Sequence, residues 1–455
     1  MAIDLNSTNI DLTDPVYESL LRDLQGNILK SHGRENALHL FLRFTAEPAA
    51  VRYWLRDFSQ HYVGSAADQL LKCEIFRKDG TCGGLFANFL LTAAGYRRLG
   101  YDEDQLPADA SFRAGLKRRR DQLSDPPVAA WEPGFQDEIH ALILLADDQA
   151  PRMNAAAAVI RSSLNEIAEI TSAEPGATFR NGQGQAIEHF GFVDGISQPL
   201  FLAMDIEAAV ANGSDGYNPS APLSLVLRRD PHGAGETSFG SFMVFRKLEQ
   251  DVNGFRAREK ELAARLGVDA ELAAAYTIGR FRDGTPVILH DRAMGAEEPA
   301  NDFNYGADPH AARCPYHAHA RKVNPRGEAA ALDHTPFEQE LGHRIVRRGI
   351  SYGPLTFEPA TDERVGLLFM CMQSDIGNQF EYMQSAWANK TNYAAVDAGL
   401  DAIVGQGKQT DGGQRWPRRW GDEADKAQFN FANFVTMRGG EYFFAPSLSF
   451  LRQGA

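Results

Sequence analysis

The run Leu38-His39-Leu40-Phe41-Leu42-Arg43-Phe44 is soon followed by Val51-Arg52-Tyr53-Trp54-Leu55-Arg56-Asp57-Phe58. In the first stretch Leu38, Leu40, Leu42 and Phe44 alternate with His39, Phe41 and Arg43, the period-two signature of a strand. In the second, Val51, Trp54, Leu55 and Phe58 fall at i, i+3, i+4 and i+7, a helix with one apolar face. Strand followed by helix opens an α+β unit. Upstream, Asp14 is placed to cap a helix, Pro15 suits its first turn, and Val16, Leu20, Leu21 and Leu24 form its stripe. Downstream, residues 85–92 and 139–146 read as strands, 153–170 as an Ala-rich helix and 186–193 as a short strand, an order close to βαββαβ.

The second half repeats the order. A strand is expected at 242–246, a helix at 252–266, a strand at 365–372, a helix at 379–387 and a last strand at 431–437. The simplest architecture is two α+β halves with antiparallel sheets. Stretches 212–240, 282–342 and 405–426 are rich in Gly, Pro, Asp and Asn and read as irregular. Loops this long in a compact protein are more often functional than idle.

Composition bounds the function. The 455 residues hold 46 Lys+Arg and 60 Asp+Glu, a formal charge of −14, which disfavours nucleic acid and anionic membrane as partners. With 44% hydrophobic and 10% aromatic residues the chain can bury a sizeable core. Cys73, Cys82, Cys314 and Cys371 form no CxxC pair, so a reducing compartment is permitted. No secretory h-region is visible, and no apolar run approaches the roughly 18 residues of a membrane span. A cytoplasmic location is expected.

Four segments could carry chemistry. Glu188-His189-Phe190-Gly191-Phe192-Val193-Asp194-Gly195 places an acid between glycines and beside two aromatic rings, where it is either a turn residue or a carboxylate with an altered pKa. Cys314-Pro315-Tyr316-His317-Ala318-His319-Ala320-Arg321-Lys322 contains an HxH. If extended, His317 and His319 point the same way and could chelate zinc with Asp302 or Asp308; if only one ligates, it suits an axial haem ligand needing a carboxylate behind it. Arg321, Lys322 and Arg326 would then suit propionates. Arg347-Arg348 beside an apolar strand is either a solvated pair or a stabiliser of developing negative charge. Leu367 and Phe369 share one strand face, with core packing the default, and the strand runs into Asp375.

Taken together, the segments LQGNILKSHGR from Leu24, EHFGFVDGISQP from Glu188, GRFRDGTPV from Gly279, NDFNYG from Asn301, CPYHAHARKVNPRG from Cys314, RIVRRGISYGP from Arg344, FMCMQSDIGNQFEYMQ from Phe369 and FVTMRGGEYFFAPSLSFL from Phe434 resemble, in order, the dye-decolorizing peroxidase family, larger fungal and bacterial type. The resemblance implies two ferredoxin-like halves, residues 1–210 carrying the GxxDG motif and 211–455 carrying the ligand of haem b. It implies a peroxidase that reduces hydrogen peroxide through a ferryl intermediate and oxidises dyes, phenols or similar one-electron donors, best at acid pH. On the matching positions, Asp194 would handle the peroxide proton and Arg347 would stabilise charge. His319 would ligate iron, Arg321 would contact haem, and Leu367 and Phe369 would cover its distal face. Asp375 would be the carboxylate behind His319, ahead of Glu381. Tyr352 matches a tyrosine implicated in electron transfer at the surface, and His317 departs from the small residue usual there. Two alternatives stay open: a haem-handling protein without turnover, and a zinc hydrolase at His317 and His319.

Overall fold

A computed structural model describes residues 3–453 except 330–333, 355, 357–358, 361–362, 396–397, 410–412 and 432. Four strands build the first half: β1 (Asn36–Phe44), β2 (Phe86–Leu91), β3 (Ala141–Asp147) and β4 (Ala168–Ala177). They lie in the antiparallel order β4-β1-β3-β2, the ferredoxin-like arrangement. The crossovers are helical: α1 (Pro48–Tyr62) and α2 (Ala66–Asp79) follow β1, and α3 (Ala150–Ser163) follows β3. Val51, Trp54, Leu55 and Phe58 are all buried, so the stripe read from the sequence is the packing face. Asp14 caps the entrance helix (Pro15–Asp23) by accepting the Val16 N–H.

The second half uses β5 (Phe239–Gln250), the short strands β6 (Val346–Arg347) and β7 (Ile350–Tyr352), β8 (Gly366–Gln373) and β9 (Val435–Ala445). The order β9-β5-β8 with β6 and β7 on the far side of β8 is again ferredoxin-like. The two sheets fuse into a closed ring at two narrow seams, Ser351 opposite Ala177 and Phe444 opposite Leu91. Closure leaves few strand edges for pairing with another chain. At the first seam Gly176 has no side chain because a Cβ there would lie 2.6 Å from Ile350 Cγ2. Phe41, Phe135, Phe245 and Phe443 pack between the halves, with Phe41 centred 4.7 Å from Phe245 and 4.9 Å from Phe135. Aromatic pairs of this kind add about 0.5–1.5 kcal/mol each beyond their burial.

Three expectations are corrected. The fourth strand of the first half is β4 and not 186–193; the helix expected to reach residue 170 stops at Ser163, and of 186–193 only Ala186–Ile187 forms a strand, paired with Phe179–Arg180 and bridged by Val193 at Ile187. Thr, Ser and Ile residues after Leu164 favour a strand, and β1 offers them an edge. The last strand starts four residues after the expected start and continues to Ala445, because Tyr442, Phe443 and Phe444 belong to the core. Among the described residues no helix is long and apolar enough to cross a membrane. All four cysteines are free.

Candidate active site

One deep cavity collects most of the residues singled out above, among them Asp194, His319, Arg347, Leu367 and Phe369. Asp194 ends a turn that Glu188 organises: its carboxylate accepts the N–H groups of Phe190 (2.8 Å) and Phe192 (3.1 Å) and the Gln250 amide (2.6 Å). Gly195 sits at φ +84°, a conformation that excludes most side chains. Asp194 Oδ1 accepts from Gly195 N at 2.6 Å and from Arg347 Nη1 at 2.5 Å. Burial alone would raise the Asp194 pKa; the Arg347 charge and the Gly195 N–H more than offset it and hold the carboxyl below its ordinary value. Arg347 is itself held by Gln198 Oε1 on its backbone N–H and by the Ser197 carbonyl on Nη2.

Leu367 and Phe369 alternate outward from β8, whose other residues are buried, and so face the cavity. His319 opens the short helix His319–Val323 and directs Nδ1 at Asp401, 3.0 Å from Oδ2 and 3.2 Å from Oδ1. Asp401 is fully buried and accepts the N–H groups of Ile403 and Val404, both at 2.8 Å. Burial pushes its pKa up, but His319 and those N–H groups bring the net value below the ordinary one. An ionised Asp401 fixes the proton on Nδ1 and leaves Nε2 as a lone-pair donor.

At another part of the wall stand Arg280, Arg326 and Arg344. Their hydrogen bonds go to neutral oxygens: Arg280 to the carbonyls of Gly284 and Ala300, Arg326 to those of Asn301 and Phe303, Arg344 to those of Leu341 and Ser220. Among the described residues none of the three is in a salt bridge. Burial, then Arg326, pushes Arg280 down to about 9. Burial would raise the neighbouring Tyr217 phenol, yet Arg344 and Arg326 pull it below its ordinary value. Buried cations without a carboxylate are costly, and this cluster fits an anionic ligand.

Four expectations change. Asp375 is not behind His319; its carboxylate accepts the Asn378 N–H, capping the turn into Gly377–Glu381, and Glu381 is bound by Arg119, Ser111 and Tyr442. Arg321 does not reach the cavity: it is buried and its donors are consumed by Glu328, Asp308 and the Cys314 carbonyl. Tyr352 is not at the surface, being 6% exposed with the Lys247 ammonium 4.9 Å from its ring centre. His317 and His319 do not form a pair: His317 is buried, bonded through Nδ1 to the Ala398 carbonyl and packed edge-on to Trp416, and burial pushes it down to about 3. Asp302 and Asp308 are also engaged, by backbone N–H groups and by Arg321. What sequence reasoning missed is Asp401, Arg280 and Arg344. The two arginines lie inside the quoted GRFRDG and RIVRRG segments, whereas Asp401 sits 82 residues from His319 in a stretch with no local signal.

A single free imidazole nitrogen, an apolar slot and a cluster of unpaired arginines suit an iron macrocycle with anionic arms better than a bare ion requiring several protein ligands. Residues 23–178 match the family described as DyP dimeric alpha+beta barrel domain, and 311–403 match Dyp-type peroxidase, C-terminal. The multifunctional dye peroxidase DyP2 of Amycolatopsis sp. is 40% identical over 99% of this chain and 100% of its own. The crystal structure of a DyP-type peroxidase of Anabaena sp. superposes with a TM-score of 0.96 at 45% identity, covering 99% of both chains. A dye-decolorizing peroxidase in complex with 2,6-dimethoxyphenol is similar at 26% identity and a TM-score of 0.78, over 96% of this chain and 99% of that one.

Proposed function

This chain belongs to the dye-decolorizing peroxidase family of haem peroxidases, and from that premise we propose that Asp194 and Arg347 activate hydrogen peroxide in the cavity that His319 also lines. The observation that carries the reading is the Asp194–Arg347 pair sharing one cavity with an imidazole whose other nitrogen is held by Asp401. Haem b held on His319 Nε2 would supply the two-electron reduction of peroxide and then draw electrons one at a time from the donor. The propionates of that haem would meet Arg280, Arg326 and Arg344.

The protein's own groups do the rest. Asp194 takes the proton from the inner peroxide oxygen and returns it to the outer one, so that the outer oxygen departs as water. Arg347 lowers the cost of negative charge on that departing oxygen. Asp401 keeps the Nδ1 proton in place and makes Nε2 a better electron donor. Leu367 and Phe369 line that cavity with apolar side chains, and bulky dyes would give up their electrons from outside it. We assign residues 1–210 and 211–455 to the two ferredoxin-like halves, in keeping with the strand orders, and a cytoplasmic location, in keeping with four free cysteines.

The test is stopped-flow mixing of the haem-loaded protein with hydrogen peroxide: a rapid change of the Soret band is expected, and an inert protein would overturn the reading. Two further outcomes follow. Asp401→Asn loses the charge behind His319 and lowers haem affinity by about 10–100-fold, measured as haem transfer to apomyoglobin. Dye oxidation is favoured at acid pH, because reducing peroxide to two waters consumes protons and Asp194, lowered from 3.8, stays an ionised base in that range. The rate falls only once pH drops through the lowered Asp194 pKa. A profile flat from acid to neutral contradicts this.

A further inference from the structure

A second cavity lies against the first and shares part of its wall: Glu188, Asp194, Gly195, Pro199, Arg347 and Leu367 line both. Its other end reaches the exposed residues Ser31 and Ala208. Its wall also carries the neutral polar side chains of Thr178, Gln198 and Ser351, which can hydrogen-bond a small neutral molecule. The proton-handling carboxylate therefore faces two spaces, one containing His319 and one leading to solvent.

The outer end is framed by an ion pair. Lys30 Nζ lies 2.5 Å from Asp205 Oδ2, with the two side chains 25% and 19% exposed, and Arg77 approaches the other oxygen at 3.5 Å. Lys30 is on the segment after the entrance helix, and Asp205 is on the helix Ala203–Ala211. The Lys30 segment is anchored from behind. Arg348 donates to the carbonyls of Asn27 and Ile28 at 2.6 and 2.8 Å, and the Gln69 amide donates to those of Lys30 and Ser31. The pair thus joins a pinned loop to a helix across the end of the cavity.

We propose that this second cavity is the path by which peroxide reaches Asp194, and that the Lys30–Asp205 pair limits the size of the hydroperoxide that passes. The inference rests on the peroxidase reading above, and the experiment separates the two. The haem-loaded Lys30→Ala/Asp205→Ala double variant and Ala208→Trp are compared with the unaltered protein by stopped flow against hydrogen peroxide and cumene hydroperoxide. A parallel series follows cyanide and imidazole binding to the ferric protein by the Soret shift, without turnover.

In the double variant the cumene hydroperoxide and imidazole rates rise about tenfold, while hydrogen peroxide and cyanide change by less than about twofold. In Ala208→Trp the larger molecule of each pair is slowed more than the smaller. A ratio of large to small that stays the same in both variants overturns the proposal and places access at the opening of the first cavity. If the double variant fails to hold haem, Ala208→Trp alone decides, since it adds a side chain at an exposed position and removes no contact. A protein that ignores peroxide yet shows the expected cyanide and imidazole ratios removes the peroxidase reading and leaves the path standing.

Discussion

Asp194→Asn slows the reaction of the haem-loaded protein with hydrogen peroxide by about 10²–10⁴-fold, the usual contribution of a positioned acid-base group. Asparagine keeps the shape of the side chain and can still accept from Arg347 and Gly195, the two donors that hold Asp194 Oδ1. It cannot take the proton from the inner oxygen. Because His319, Asp401 and the three arginines are untouched, the resting Soret spectrum stays as in the unaltered protein. The acid limb of the pH profile disappears with the carboxylate that produced it. A variant within about tenfold of the unaltered rate would show that proton transfer runs through another group.

Arg347→Leu slows the same step by about 10²–10³-fold, the loss expected when one preorganised donor to a developing anion is removed. The substitution has a second, independent signature. After burial, which raises it, the Arg347 charge is the largest influence on the Asp194 pKa and lowers it. Without that charge the folded-state pKa of Asp194 rises, so the base is lost at a higher pH and the acid limb moves toward neutrality. Arg347→Lys restores the charge but not the fork that reaches Asp194 and the Ser197 carbonyl together, and recovers the limb more fully than the rate. A limb that stays in place in Arg347→Leu would mean that the two side chains act separately.

Much of this was legible in the sequence because the deciding signals are local. The alternation from Leu38 to Phe44 and the stripe from Val51 to Phe58 each fit inside one element, and the GxxDG turn places Asp194 beside Gly195 at positive φ. Strand periodicity puts Leu367 and Phe369 on one face, and the cavity uses that face. The failures are of a different kind. Asp401 and Asp375 are both acids near glycine, and only long-range folding decides which one comes to His319. Arg321 stands two residues from His319, but in the helix that starts at His319 it turns toward Asp308 and Glu328. Adjacency on the chain is a poor guide to shared space once a helix intervenes. Tyr352 follows Arg347 closely, yet the strand between them sends its ring under Lys247.

The seam between the two ferredoxin-like halves bears on how the enzyme is made. Asp194 is synthesised early, while His319, Arg347 and Asp401 come late, and Glu188 with Gln250, Lys247 with Glu174, and Arg348 with the Asn27 carbonyl all reach across the same divide. A chain that stops before residue 401 lacks the acid bonded to the His319 imidazole, and a piece beginning after residue 194 lacks the carboxylate bonded to Arg347. Neither fragment holds the whole of the proposed site. The proposed peroxide site is therefore assembled only when both halves are present.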